Sequence, residues 1–266
     1  MSANYLGYLA AILYLLSALS ILQKQLTENK KGLSVVISSN AKYLAIVCHA
    51  INLFLIVHTQ NGTNLSIFNS ASIVALIIST IIVLGSRLGS ISTTALVAFP
   101  LSSIFIMVSI NYPLENSFTS NNIGIKMHIV LSFLAHSFFS VAIIQAFFLL
   151  ITEYRLKTHR PIMNLLPPLR LIEDLMFFST TVAFILLTGG LFIGIISIDN
   201  IFEQHLTHKI FFSMLAWLIF LFLLIGRIKY QLRGRKAAYL MIGGFILLAT
   251  GFFGSKFVLE ILLGKS

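Results

Sequence analysis

Four histidines stand where an ionisable side chain is expensive to keep. His49 and His136 lie inside long apolar stretches, while His128 and His208 open two others. A neutral imidazole offers one ring nitrogen as a lone pair and suits iron, zinc or copper. Two imidazoles on facing helices could clamp a haem iron, a site that helical bundles host well. Polar side chains in apolar helices also serve as plain hydrogen-bonding links between neighbours, so residue type alone leaves both uses open. On helical geometry, Lys42, His49 and Asn52 share one face, expected to turn toward protein or a cavity. His128, Ser132, His136 and Ser140 form a four-residue row. His136 stands ~12 Å along the helix from His128. His49 and His136 are therefore expected near mid-membrane, and His128 and His208 near one surface.

The elements that must position these residues are legible from composition. Of 266 residues, 58% are hydrophobic and 10% charged, against roughly 25% charged in an ordinary soluble domain. A compact soluble domain of this size lacks the interior to hide so much apolar surface. The expected solvent is lipid. Eight runs approach the ~20 residues needed to cross ~30 Å of hydrocarbon: roughly 5–22, 41–58, 67–85, 93–111, 126–151, 174–197, 209–226 and 237–260. The second could begin as early as Leu33. The fold class expected is all-α, a polytopic integral membrane protein forming one transmembrane domain over residues 1–266.

Charge gives this array a direction. The chain has 18 Lys and Arg against 8 Asp and Glu. Fourteen of the basic residues fall in or beside alternate connections: Lys24, Lys30, Lys31, Lys42, Arg87, Arg155, Lys157, Arg160, Arg170, Arg227, Lys229, Arg233, Arg235 and Lys236. The other side keeps Lys126, Lys209, Lys256 and Lys265. The positive-inside rule places the fourteen in the cytoplasm, so eight transmembrane helices with both termini outside (N-out/C-out) are expected. Basic residues arranged this way encode topology, and no soluble basic domain exists to bind nucleic acid. The absence of Lys or Arg before the first run argues for an uncleaved first span.

Several chemistries are disfavoured. The single cysteine, Cys48, excludes an intramolecular disulfide, a Cys-X-X-Cys redox pair and a Cys-X-X-Cys-His haem attachment site. No Gly-X-Ser-X-Gly, Walker glycine loop or His-Glu-X-X-His occurs. Glu153, Glu173 and Asp174 fall at span boundaries, where solvated or capping roles suffice. Gly190-X-X-X-Gly194 is read as a close-packing motif. Trp217 sits mid-span, so its N–H needs a partner. Pro168 suits the first turn of the sixth helix. His58, His159 and His205 are read as loop or interface residues, and no internal repeat is evident.

Short motifs along the chain resemble the cytochrome c assembly family of haem-handling membrane proteins, the CcsA/CcmC type, and most nearly its YpjD/HemX-like branch. In the second half these are Leu166-Pro167-Pro168-Leu169, Glu173, the stretch ending at Gly190, Ala216-Trp217-Leu218, Arg227, Arg233 through Tyr239, and Phe253-Gly254-Ser255-Lys256. In the first half they are Cys48-His49-Ala50, Ser86-Arg87-Leu88 and Met127-His128-Ile129. The resemblance implies a protein of the bacterial cytoplasmic membrane that binds and delivers haem for cytochrome c maturation, alongside other assembly or haem-biosynthesis proteins. On matching, His128 takes the place of an outer-face axial ligand and His49 that of an intramembrane one, with His208 third and His136 fourth. Lys256 or Lys126 would pair the haem propionates. The chain departs from the family where the Trp-rich outer motif is missing, where Ile225 replaces an expected His, and where an outer His after the final span is absent. Synthase catalysis is therefore not expected. Two other functions compete: a regulatory or scaffolding subunit without cofactor, and a small-molecule transporter, for which broken helices or midplane carboxylates would be the usual signs.

Overall fold

A computed structural model describes residues 2–26, 33–59, 62–86, 91–114, 117–158, 166–197 and 207–262. Lys30, Lys31, Arg87, His159, Arg160, His205 and Lys265 lie outside the described residues, as does the side chain of His208.

The apolar runs become helices: α1 (Ser2–Leu26), α2 (Leu33–Val57), α3 (Ile67–Gly85), α4 (Ala95–Asn111), α5 (Ile123–Lys157), α6 (Leu169–Ser197), α7 (Thr207–Tyr230) and α8 (Gly234–Ala249). Beyond Ala249 the last helix widens into π-helical turns at Thr250–Gly254 and Phe257–Leu262. Seven helices among the described residues are long and apolar enough to cross a membrane. α4 has 17 residues, ~26 Å of rise, and is entered through a 3₁₀ turn at Ile91–Thr94. The chain is an all-α polytopic membrane fold.

Burial confirms lipid as the solvent. Ile228 is 81% exposed, Phe192 66% and Phe54 62%, while His49, Ser72, Ser79 and Thr180 are 0% exposed. Large apolar side chains point outward, and small or polar ones face other helices. That is the pattern expected where burying apolar surface gives no gain over lipid and close approach and interhelical hydrogen bonds do the work.

The helices gather into two compact units, α1–α4 in the first and α5–α8 in the second. In the first, α1 packs on α2 and α4, and α3 packs on the same two. In the second, α5 packs on α6 and α8, and α7 packs on those same helices. The first unit also carries a small antiparallel sheet. Its strands, β1 (His58–Thr59), β2 (Gly62–Asn64) and β3 (Ser117–Phe118), pair in that order, with His58 opposite Thr63 and Thr63 opposite Phe118. Gly62 has φ +128, and a Cβ there would strike Thr119 and the Phe118 carbonyl. Only glycine fits that crowded, left-handed position.

Helix starts follow local chemistry. α6 begins directly after Pro168, whose carbonyl accepts from the Leu171 and Ile172 amides at 2.9 and 3.2 Å. The proline thus sits one place before the first helical residue. Asn122 caps α5, its side chain accepting from the Gly124 amide at 2.8 Å and donating to the Ser197 carbonyl at the end of α6. α2 does begin at Leu33.

Candidate functional site

The two units treat their histidines differently. In the second unit, α5 carries His128 near its start and His136 two turns on. The His128 Nδ1 lies 2.6 Å from the Gly190 carbonyl on α6. A carbonyl can only accept, so Nδ1 carries the proton and, in the neutral ring, Nε2 keeps its lone pair. The slot that admits the ring is made by glycine. A Cβ at Gly194 would stand 2.7 Å from Nδ1 and 2.9 Å from Cε1 of His128, whereas one at Gly190 would make an ordinary 3.5 Å contact with Leu131. The Gly190-X-X-X-Gly194 pair, read from sequence as packing, is a packing motif built around an imidazole.

His136 is buried and repeats the pattern within its own helix. Its Nδ1 donates to the Ser132 carbonyl at 2.7 Å, while Nε2 is buried and makes no hydrogen bond of good geometry, with the Leu248 backbone within reach of the ring. The ring lies against Phe252, centroids 4.8 Å apart, and meets Phe253 edge-on at 6.2 Å. Eight residues separate the two histidines, ~12 Å of rise. Metal–imidazole bonds are about 2 Å long, so one iron cannot take both.

In the first unit His49 is fully buried and both ring nitrogens are engaged: Nδ1 with the Tyr14 hydroxyl at 3.3 Å and Nε2 with the Ser72 hydroxyl at 3.0 Å. Tyr14 also meets the Ser79 hydroxyl, and Ser79 reaches Ser102 at 2.9 Å. All four helices of the unit contribute to this chain of polar groups. Asn52 is buried beside His49, while Lys42 places its ammonium over the ring of its neighbour Tyr43, 5.2 Å from the centroid. Tyr14 and Ser72 escaped the sequence reading, since a lone hydroxyl in an apolar run carries no signal of what it faces.

His208 lies in the first turn of α7. Trp217 finds its partner in the Thr188 hydroxyl, at 2.9 Å, and stacks on Phe184. Cys48 is buried and free. At the other end of the second unit, Glu173 accepts from Arg227 at 3.0 Å and from the Gly234 amide at 3.2 Å, and Asp174 takes a second Arg227 nitrogen at 3.1 Å. The Arg227 guanidinium also lies over Phe177. Glu173 thus joins α6 to α7 and to the start of α8, a tying role beyond the boundary cap expected. Gly234, with φ +62, leaves room there for Glu153, which a Cβ would strike.

These features belong to a known class. The family model described as cytochrome C assembly protein matches residues 37–263, and the chain belongs to that family. It is similar to the inner membrane protein YpjD of Escherichia coli K12, 29% identical over 262 residues, covering 96% of this chain and 97% of the relative. It is also similar to an uncharacterised 28.8 kDa protein of Azospirillum brasilense, 27% identical over 146 residues, 53% of this chain and 54% of that one. No solved structure matches. With its apolar helices and its full-length likeness to an inner membrane protein, the chain is a multi-pass protein of the bacterial inner membrane.

Proposed function

We propose that this chain binds haem in its second unit and handles it for cytochrome c assembly, without catalysis of its own. The observation that carries the reading is the His128 ring, whose Nδ1–H is committed to the Gly190 carbonyl while Nε2 remains a lone-pair donor. An imidazole oriented by its other N–H is how metal-ligating histidines are commonly held. His136 has the same tautomer, and its buried Nε2 makes no hydrogen bond of good geometry. A buried acceptor left open costs free energy, which a metal bond would recover. Phe252 and Phe253 beside it supply the apolar, aromatic surroundings a porphyrin plane requires. Each of these nitrogens singly fits haem, whose iron would supply the Lewis-acid centre that one of them holds.

His128 is the leading axial ligand, and His136, ~12 Å further along the same helix, is an alternative to it and not a second ligand of the same iron. His49 would have to give up two hydrogen bonds to coordinate and ranks below them, with His208 as a further donor from α7. The partners proposed are haem, the lipid bilayer and other proteins of cytochrome c assembly or haem biosynthesis. Eight spans with both termini outside is the proposed topology, since fourteen basic residues sit at alternate connections.

The test is a visible absorption spectrum of the protein purified in mild detergent from haem-replete cells, with a pyridine haemochrome assay. His128→Ala, His136→Ala and His49→Ala would be run beside it. A stoichiometric Soret band that weakens in His128→Ala is the expected result. A wild-type protein that takes up no haem, even from added haemin, would sink the reading and leave a cofactor-free regulatory or scaffolding subunit in its place.

A further inference from the structure

The end of the second unit that Glu173 ties together is strongly basic. Between residues 152 and 174 and between 227 and 239 the chain has nine Lys and Arg against three acidic residues, Glu153, Glu173 and Asp174. The structure turns those carboxylates onto the protein itself. Glu173 accepts from Arg227 and from the Gly234 amide, Asp174 takes the second Arg227 nitrogen, and Glu153 stands against Gly234. With each of the three carboxylates offset by one cation, nine less three leaves a surplus of six positive charges at this end. Alternation of charge across a membrane calls for basic residues here, but it does not fix where on the helices they sit.

Arg233, Arg235 and Lys236 flank Gly234 at the start of α8, and all three are exposed. Arg235, Tyr239, Ile242 and Ile246 recur at spacings of four, three and four, which puts them on one face of the helix. Tyr239 and Ile246 are exposed and Ile242 is half-buried, so this face is turned to lipid. A guanidinium therefore stands directly above an apolar stripe. Arg235 Nη2 donates to the Tyr239 hydroxyl at 3.2 Å, and the guanidinium lies 5.9 Å from the ring centroid. Tyrosine is a common anchor at headgroup level. The guanidinium has five N–H donors, and the bond to Tyr239 orients the fork they form. Glu153 is the carboxylate within electrostatic reach of it, and it is already counted among the three.

We propose that α8 seats an anionic phospholipid, its phosphate held among Arg233, Arg235 and Lys236 and an acyl chain laid along the Tyr239–Ile246 face. The phosphate supplies the negative charge this end lacks, and Arg meets phosphate oxygens with paired N–H groups. Basic clusters at the membrane border recognise anionic lipid in this way. The apolar stripe beneath the cations selects a lipid over a free phosphate. The site is at the opposite end of α5 from His128 and does not depend on haem.

The experiment uses the full chain in mild detergent, with native mass spectrometry reading which lipid stays bound from equal mixtures of dioleoyl phosphatidylglycerol and dioleoyl phosphatidylcholine. The wild type should retain the anionic lipid preferentially. Arg233→Gln with Arg235→Gln should lower that preference roughly fivefold for each charge removed, the factor that one basic side chain contributes near an anionic surface. The paired Arg→Lys changes should keep most of it. Lys24→Gln with Lys30→Gln, which removes the same charge from the first unit, should leave it near the wild-type value. Thermal unfolding of the wild type should rise with phosphatidylglycerol and stay unmoved by glycerol 3-phosphate. Equal retention of the two lipids by the wild type, or equal losses in the two Gln pairs, overturns the proposal and leaves a diffuse field in place of a site. Protection by glycerol 3-phosphate as great as that by the lipid overturns it too, because a phosphate site would then exist without a part for the apolar stripe.

Discussion

At the scale of single residues, what separates the histidines is which nitrogen is left over. His128 and His136 each spend Nδ1 on a backbone carbonyl, while His49 spends both nitrogens on hydroxyls. The glycine slot around His128 gives a sharp contrast. Gly194→Ala would press a methyl to 2.7 Å from Nδ1, so the ring must leave its position and the Soret band should fall as far as in His128→Ala. Gly190→Ala meets only a 3.5 Å contact and, gaining up to about 1 kcal/mol of helix propensity, should keep the band and melt no lower. Equal spectra for the two alanine variants would show that the slot does not set the ligand. His49→Ala should leave the Tyr14 and Ser72 hydroxyls short of a partner, lowering stability by about 1–2 kcal/mol. Thermal unfolding in detergent would register this without loss of haem.

At the scale of elements, the second unit is tied at one end by Glu173. Its side chain is 13% exposed and accepts from Arg227 and the Gly234 amide, whereas the Asp174 side chain is 51% exposed. Hydrogen bonds to a shielded charge contribute about 1.5–3 kcal/mol, and exposed ion pairs less than about 1 kcal/mol. Glu173→Gln should therefore lower thermal stability clearly and Asp174→Asn only slightly. Comparable losses would mean that the guanidinium, rather than Glu173, organises the junction. The contrast was not available from sequence, where Glu173 and Asp174 are neighbours of similar type and only the fold shows which one points inward.

At the scale of the whole molecule, the proposed arrangement makes a topological prediction. Reporters active only in the cytoplasm should fail at both termini and succeed in the α1–α2 and α7–α8 connections. Activity at either terminus would overturn the eight-span arrangement. α4 is the element to watch, because its 17 α-helical residues fall short of ~20. A reporter in the α3–α4 connection should be cytoplasmic and one in the α4–α5 connection external. The same compartment for both would remove α4 from the spanning set.

The sequence alone determined the solvent, the helical class, the number of apolar runs and their alternation of charge. Those depend on composition and on the length of hydrocarbon a helix must cross, which are local and additive. It also singled out His49, His128 and His136 as the ionisable side chains worth explaining. Their hydrogen-bond partners were decided by tertiary structure, because those depend on what faces each nitrogen. Tyr14 stands 35 residues from His49 and Gly190 62 residues from His128. No periodicity records such pairings. Glu260 shows the boundary between the two. Its spacing from Lys256 can be read along the chain, but that its carboxylate is buried is a consequence of how the last two helices pack.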